Sequence, residues 1–319
     1  MGLFSWLSPK APEEARTVRI EAGLHLEVTP HRAGDRVWRT YRSRGLPTHG
    51  QKDVSVDVFA RADERHDALD EQFVMLFRTF AKLAREGRLV SVGGITELAS
   101  VELLDPRVGG LLYTTPEADR PDELCGVVLL RDEMRVRHES HETRILARLG
   151  AMYGLFPFQR IYDRDRPSAA LPRDDESILS RVNRFALRDA SVIAQGNRYE
   201  VRLGGRARES LAAEVAAVDE AAIAFITSRE ETADGWLVWA PGQTEPTAIT
   251  PPGSRGERVA GGFLLVLAEQ DRDEVRILED GVALLLRTAS WRVVRDAMCA
   301  GISTDLPCAG GALVRLIAT

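Results

Sequence analysis

Lysine is almost missing from this chain. It occurs only at Lys10, Lys52 and Lys82, so nearly all of the 42 basic residues are arginines. They are scattered among 48 acidic residues, for a net charge of −6, and no basic block stands out as a footprint for nucleic acid. A nucleic-acid partner is therefore not expected. Cysteine is scarce too: Cys125, Cys299 and Cys308 form an odd set without a C-x-x-C pair, in a chain long enough to do without disulfide staples. They read as reduced thiols of a cytoplasmic protein. No segment approaches the roughly 20 apolar residues of a membrane-spanning helix, so no span is expected. The opening "MGLFSWLSPK" has an apolar run about half the length of a signal-peptide core, without a basic leader or cleavage site. Trp6 stands where myristoylation needs Ser or Thr. Leu3, Phe4, Trp6 and Leu7 are expected to dock on the body of the protein, with an exposed sticky tip as the alternative.

Recognisable catalytic motifs are also lacking. Neither phosphate-cradling glycine pattern, G-x-x-x-x-G-K-[ST] or G-x-G-x-x-G, occurs, and there is no G-x-S-x-G elbow to seat a serine nucleophile. The stretch "HESHETRILARLG" at 138–150 resembles a zinc-binding helix, but its histidines are three residues apart. A zincin helix needs them four apart, on one face, with the glutamate beside the bound water. Met134, His138, His141, Ile145 and Leu149 follow one helical face, which makes the two histidines a rim to the core, while Glu139 and Glu142 complement the helix dipole. No metal or other cofactor is expected. An enzyme reading survives only if His49, Asp53, His138, His141 and Glu142 converge, since histidine near neutral pKa is the usual proton carrier.

What is present is a chain with 44% hydrophobic residues, enough for two cores. "TVRIEAGLHLEV" alternates about Gly23 as a hairpin does, and Val54, Val56 and Val58 mark one face of a strand. Residues 69–86 place Leu69, Phe73, Leu76, Phe77, Phe80 and Leu83 at helical spacing, with Gly87 as the C-terminal cap. Apolar runs at 88–92, 111–114 and 126–130 read as strands. Residues 162–177, rich in charge and proline without periodicity, read as an exposed linker. Beyond it "NRYEVRL" is a strand, "ARESLAAEVAAV" a helix, and several apolar strands follow around a long loop at 241–258. The expected fold is α+β: two mixed-sheet domains, 1–165 and 178–319, with helices packed on one face. The halves also look related. "GQKDVSVDV" at 50–58 resembles "GNRYEVRLG" at 196–204, and 126–150 resembles 262–287, which allows a duplicated unit.

Two stretches carry partner-binding expectations. "GLPTHGQKD" puts His49 and Gln51 at a turn into a strand, where functional side chains often sit on a rigid scaffold, with an idle hairpin turn as the alternative. "GAMYGLFPFQRIYDRDRP" gathers Tyr153, Phe156, Phe158 and Tyr162 about Pro157, as cover for a domain end or as an interface surface.

"RTYRSRGLPTHGQKDVSVDVFAR", "LFRTFAKLAREGRLVSVGG", "GLLYTT" and "GVVLLRDEM", taken in order over about 38–150, resemble the suppressor-of-fused family and its bacterial relatives. The resemblance implies a non-enzymatic α+β module that binds another protein, with bacterial members acting as immunity-type partners of toxins. The expected function is accordingly protein binding, neutralising a toxin or escorting an effector. Complementary fields speed encounter, so an acidic binder suits a basic client.

Overall fold

The computed structural model describes residues 14–61, 66–98, 103–115, 122–139, 142–176, 182–187, 189–215, 222–226, 234–240 and 242–319. The fold is α+β, with five α-helices and nineteen strands in three mixed sheets among the described residues. The chain divides into two compact units. Unit 1 is Met1–Arg131 with Arg160–Pro167, and unit 2 is Asp132–Gln159 with Ser168–Thr319.

Unit 1 is built on one seven-stranded sheet. Its strands are β1 (Arg16–Glu21), β2 (Leu24–Ala33), β3 (Arg36–Arg44), β4 (Asp53–Phe59), β5 (Ile95–Glu97), β6 (Val108–Thr114) and β7 (Glu123–Leu130), in the order β1-β2-β3-β4-β7-β6-β5. Only the central pair, β4 and β7, runs parallel. Gly23, with φ of 79°, makes the β1–β2 turn as the alternation predicts. α1 (His66–Arg85) lies on one face because Leu69, Phe73, Leu76, Phe77 and Phe80 recur on one side of it. They bury against Leu24, Leu26, Val28, Tyr41, Val54, Val56 and Val58, with Phe73 stacked on Tyr41 at 4.0 Å. Each fully buried Leu, Val or Phe contributes about 1.5–3 kcal/mol. Gly87 ends α1 in the left-handed conformation, its N–H and that of Arg88 donating to the Ala84 and Leu83 carbonyls.

Unit 2 holds α2 (Arg131–Glu139, all but its first residue), α3 (Glu142–Tyr153) and two sheets. The larger sheet is ordered β13-β12-β14-β9-β10-β19-β18. It is made from β9 (Ala190–Gln195), β10 (Arg198–Leu203), β12 (Gly235–Val238), β13 (Thr247–Ile249), β14 (Val259–Gly261), β18 (Thr304–Pro307) and β19 (Leu313–Ala318). The smaller sheet is ordered β16-β17-β15-β11-β8, from β8 (Asn183–Ala186), β11 (Ala222–Ile226), β15 (Phe263–Leu267), β16 (Glu274–Leu278) and β17 (Gly281–Leu285). One core joins Val192, Val201 and Leu316 of the larger sheet to Phe225, Leu264 and Leu284 of the smaller, closed by Trp291, Val294 and Met298 of α5 (Thr288–Ala300). Strand alternation sends Phe263 and Leu265 to the opposite face, where they form a second cluster. The helix expected over "ARESLAAEVAAV" is shorter: α4 (Gly205–Ser210) runs into a π-helical turn, Leu211–Val215.

Several expectations need correction. Residues 88–92 are not a strand; the edge strand is β5. The described part of the expected linker, residues 162–176, is not exposed throughout, since Tyr162, Arg166, Ala169 and Asp174 are all buried. Tyr162 pairs with β4, exchanging backbone hydrogen bonds with Asp57 and Phe59 at 2.8 and 2.9 Å. α2 and α3, placed by the sequence in the first domain, belong to unit 2. Of the two pairs of stretches proposed as repeats, one falls on strands with the same pairing pattern. In unit 1 the hairpins β3–β4 and β6–β7 join through β4 parallel to β7, with α1 between them; in unit 2 β9–β10 and β18–β19 join through β10 parallel to β19, with α5 between them. Residues 50–58 and 196–204 therefore occupy equivalent strands, β4 and β10. The second pair does not correspond, because 131–139 and 142–150 form helices where 274–278 and 281–285 form strands.

Arg148 of α3 is fully buried and ties unit 2 together. Its guanidinium donates to both Asp174 oxygens, at 2.8 and 3.0 Å, to both Glu279 oxygens, and to the Ala169 carbonyl at 3.0 Å. Glu279 also accepts the Trp239 N–H at 3.1 Å, and Arg144 donates to the Glu279 carbonyl at 3.4 Å. Burial pushes the Asp174 carboxyl up, but the Arg148 hydrogen bonds and charge outweigh it and hold it below the usual carboxylate range. Removing one partner of such a buried pair strands a charge, so Arg148→Met should lower the unfolding free energy by about 3–5 kcal/mol in urea titrations. The Asp174 contribution should be complete above its unfolded value of about 3.9 and disappear as pH falls through its lower folded value, and this acid dependence should be absent from the variant.

Candidate functional site

β1 is an edge strand, paired only with β2 among the described residues, and a groove of about 490 Å³ opens between it and α1. The groove arises from the spacing of α1. Phe73, Phe77 and Phe80 face the sheet, which leaves Glu71, Val74, Met75 and Arg78 on the adjacent stripe beside Val18 and Arg19 of β1. Val18, Val74 and Met75 make an apolar floor, with Met75 54% exposed. At one end Arg16 clasps Asp70 with two hydrogen bonds of 2.8 and 2.7 Å. At the other, Arg78 reaches the Ile20 carbonyl at 3.4 Å and the Met75 sulfur at 3.5 Å. An apolar floor with a rim of both charge signs can hold an amphipathic chain segment; it has no set of groups for moving a proton.

The opposite face of this sheet is polar and partly buried. Thr40 donates to Asp57 at 2.5 Å, so the Thr40 oxygen accepts from Nε2 of His31 at 2.9 Å. Arg160 meets the second Asp57 oxygen at 2.8 Å. Arg42 bridges Glu123 and Glu27 at 3.1 and 3.9 Å, and Arg44 joins Glu27 at 2.8 Å. Cys125 lies on this face, where burial, then the Asp57 charge, push its thiol up to about 12. A thiol so placed is a poor nucleophile at neutral pH.

The expected site residues are divided between the two units, and some lie outside the described residues. His49 is half-buried in the 3-10 turn Leu46–His49. Gln51 is buried and structural: its amide exchanges hydrogen bonds with Val90 at 2.8 and 3.3 Å, which clasps the segment after α1. Asp53 holds the same turn, accepting from the Ser43 hydroxyl and the Gly45 and Leu46 N–H groups at 3.0–3.2 Å. Burial raises its carboxyl despite these bonds. Tyr162 is buried in unit 1 with its hydroxyl donating to Asp105 at 2.6 Å. Gln51 and Tyr162 are therefore not on the surface to meet a partner. Tyr153, Phe156 and Phe158 belong to unit 2 and are half-buried, Phe156 resting on Trp236 at 5.3 Å. The "HESHET" stretch is divided between the end of α2 and the start of α3; His141 lies outside the described residues, as do the side chains of His138 and Glu142.

Sequence reasoning missed the groove. Helical periodicity finds the buried stripe of α1 but does not say that its neighbour is left open, and Arg16 and Asp70 meet across 54 positions of sequence. Among the described residues no cluster of three metal-ligating side chains occurs, and no helix is long and apolar enough to cross a membrane. Compared with known proteins, the chain matches no family model and no curated protein. The Cys125 environment makes a direct prediction. In the folded protein at pH 8 a thiol-reactive disulfide should label Cys125 only as fast as the protein unfolds, as mapped by peptide mass spectrometry; labelling at the rate of a free thiol would contradict the burial that sets its pKa.

Proposed function

We propose that the protein is a non-enzymatic protein-binding module of the cytoplasm that holds a segment of a client, of the toxin-neutralising or effector-escorting kind that its resemblance to the suppressor-of-fused family implies. The observation that carries this reading is the groove between β1 and α1. Its floor exposes Met75, a flexible and polarisable side chain suited to irregular apolar surfaces. Its rim offers Arg19 and Glu71, both exposed and without an ion pair among the described residues, as charged contacts of either sign. The net charge of −6 draws a basic client at long range. Three cysteines free as thiols fit a reducing compartment.

The test is site-specific photo-crosslinking in cells, with the photoreactive residue at position 75 and, as a control, at position 293, where Val293 is 61% exposed on α5 of unit 2. One client should be captured at 75 and not at 293. Met75→Glu should weaken binding of that client about tenfold, worth about 1.4 kcal/mol, with the melting temperature unchanged. Equal capture at both positions would remove the groove as the docking site.

A further inference from the structure

The hairpin of β2 and β3 extends past its neighbours. Among the described residues β1 pairs with β2 from Leu24 to Val28 and β4 pairs with β3 from Trp38 to Arg42, with the Ala60 N–H donating to the Val37 carbonyl at 2.9 Å, which leaves residues 30–36 as a two-stranded arm. On the face opposite α1, a row of rings crosses the base of this arm. His31 of β2 stacks on Trp38 of β3 at 5.3 Å, Trp38 stands opposite Phe59 of β4, and the Arg36 guanidinium sits 6.0 Å over the Phe59 ring. All three rings are half-buried, and residues 32–36 at the tip are exposed. The His31 hydrogen bond to Thr40, which Asp57 and Arg160 hold in turn, fixes the row from beneath.

The charge of the arm is opposite to that of the chain. Arg32 and Arg36 have no carboxylate partner among the described residues, and the one acidic group between them, Asp35, is exposed at the turn. An aromatic row beside a guanidinium that has no carboxylate partner among the described residues is the composition found at the centres of protein interfaces, where Trp and Arg carry most of the energy. Arginine pairs with carboxylates in a planar, two-point geometry.

We propose that this arm is a second interaction surface, and that it takes a protein segment carrying an apolar side chain next to a carboxylate. The apolar group lies on Trp38 and Phe59, and the carboxylate meets Arg36. This inference rests on the protein-binding reading but not on the groove, which lies on the other face of the sheet.

The test uses the full chain and a fluorescein-labelled octapeptide of alternating glutamate and leucine, read by anisotropy, with the lysine–leucine peptide as its mirror. The glutamate peptide should bind saturably and the lysine peptide should not. Arg36→Glu should weaken the glutamate peptide about tenfold and confer binding of the lysine peptide, while Met75→Glu changes neither. The proposal is overturned by no saturable binding of the glutamate peptide, by equal binding of both peptides, or by binding indifferent to Arg36→Glu. Displacement of the peptide by an equal concentration of duplex DNA would also overturn it, by making the arm a phosphate reader. Loss of binding in Met75→Glu but not in Arg36→Glu would overturn the arm while leaving the groove and the protein-binding reading in place.

Discussion

Unit 2 depends on one guanidinium. Arg148 sits where α3, the turn at Pro172–Glu176 and the tight turn between β16 and β17 meet, and no apolar side chain could hold all three. A buried arginine is costly to desolvate, and it is tolerated here because Asp174 and Glu279 supply four oxygens and the Ala169 carbonyl a fifth. The demand is mutual, since without the arginine Asp174 would lose its partner and Glu279 would keep only Arg144, 3.6 Å away. That mutual requirement explains why a stretch so rich in charge and proline is buried. Its Asp174 is the partner of a cation that arrives from another part of the chain.

Unit 1 divides its work between the two faces of a single sheet. The face under α1 is hydrocarbon and supplies the stability, through Phe73, Phe77 and the valines of β4. The other face is a lattice of hydroxyls, carboxylates and guanidiniums, with Asp57 accepting from both Thr40 and Arg160. Such a lattice holds a sheet face flat and its side chains fixed, which is what a binding surface needs if little entropy is to be lost on contact. Both candidate surfaces lie at the margins of this sheet, where strands end or lack a neighbour.

Local pattern was legible in the sequence wherever one face of an element is buried and the other is not. α1, its glycine cap, the Gly23 hairpin and β4 could all be read in this way, because periods of 3.6 and 2 are imposed by the element itself. The α+β class followed from them. Long-range pairing could not be read. Nothing local marks Asp174 as the partner of Arg148, Asp70 as the partner of Arg16, or Tyr162 as a strand residue against β4. The aromatic residues about Pro157 were visible as unusual, but the structure sends Phe156 and Tyr162 to different units. The row of His31, Trp38 and Phe59 escaped notice because its members come from three strands and are adjacent only across the ladder.

The parallel pairing of β10 with β19 governs when unit 2 can become solid. Val201 lies against Leu316, and neither strand has another parallel neighbour in its sheet. During synthesis β10 leaves the ribosome long before β19 exists, and its hydrogen-bonding edge must wait. Closing so long a loop is slow, and an exposed strand edge invites wrong pairings in the interval. β4 finds β7 after a much shorter stretch of chain. The sheet of unit 1 can therefore be complete while unit 2 is still assembling, which leaves the newborn chain open to misassociation until β19 is added.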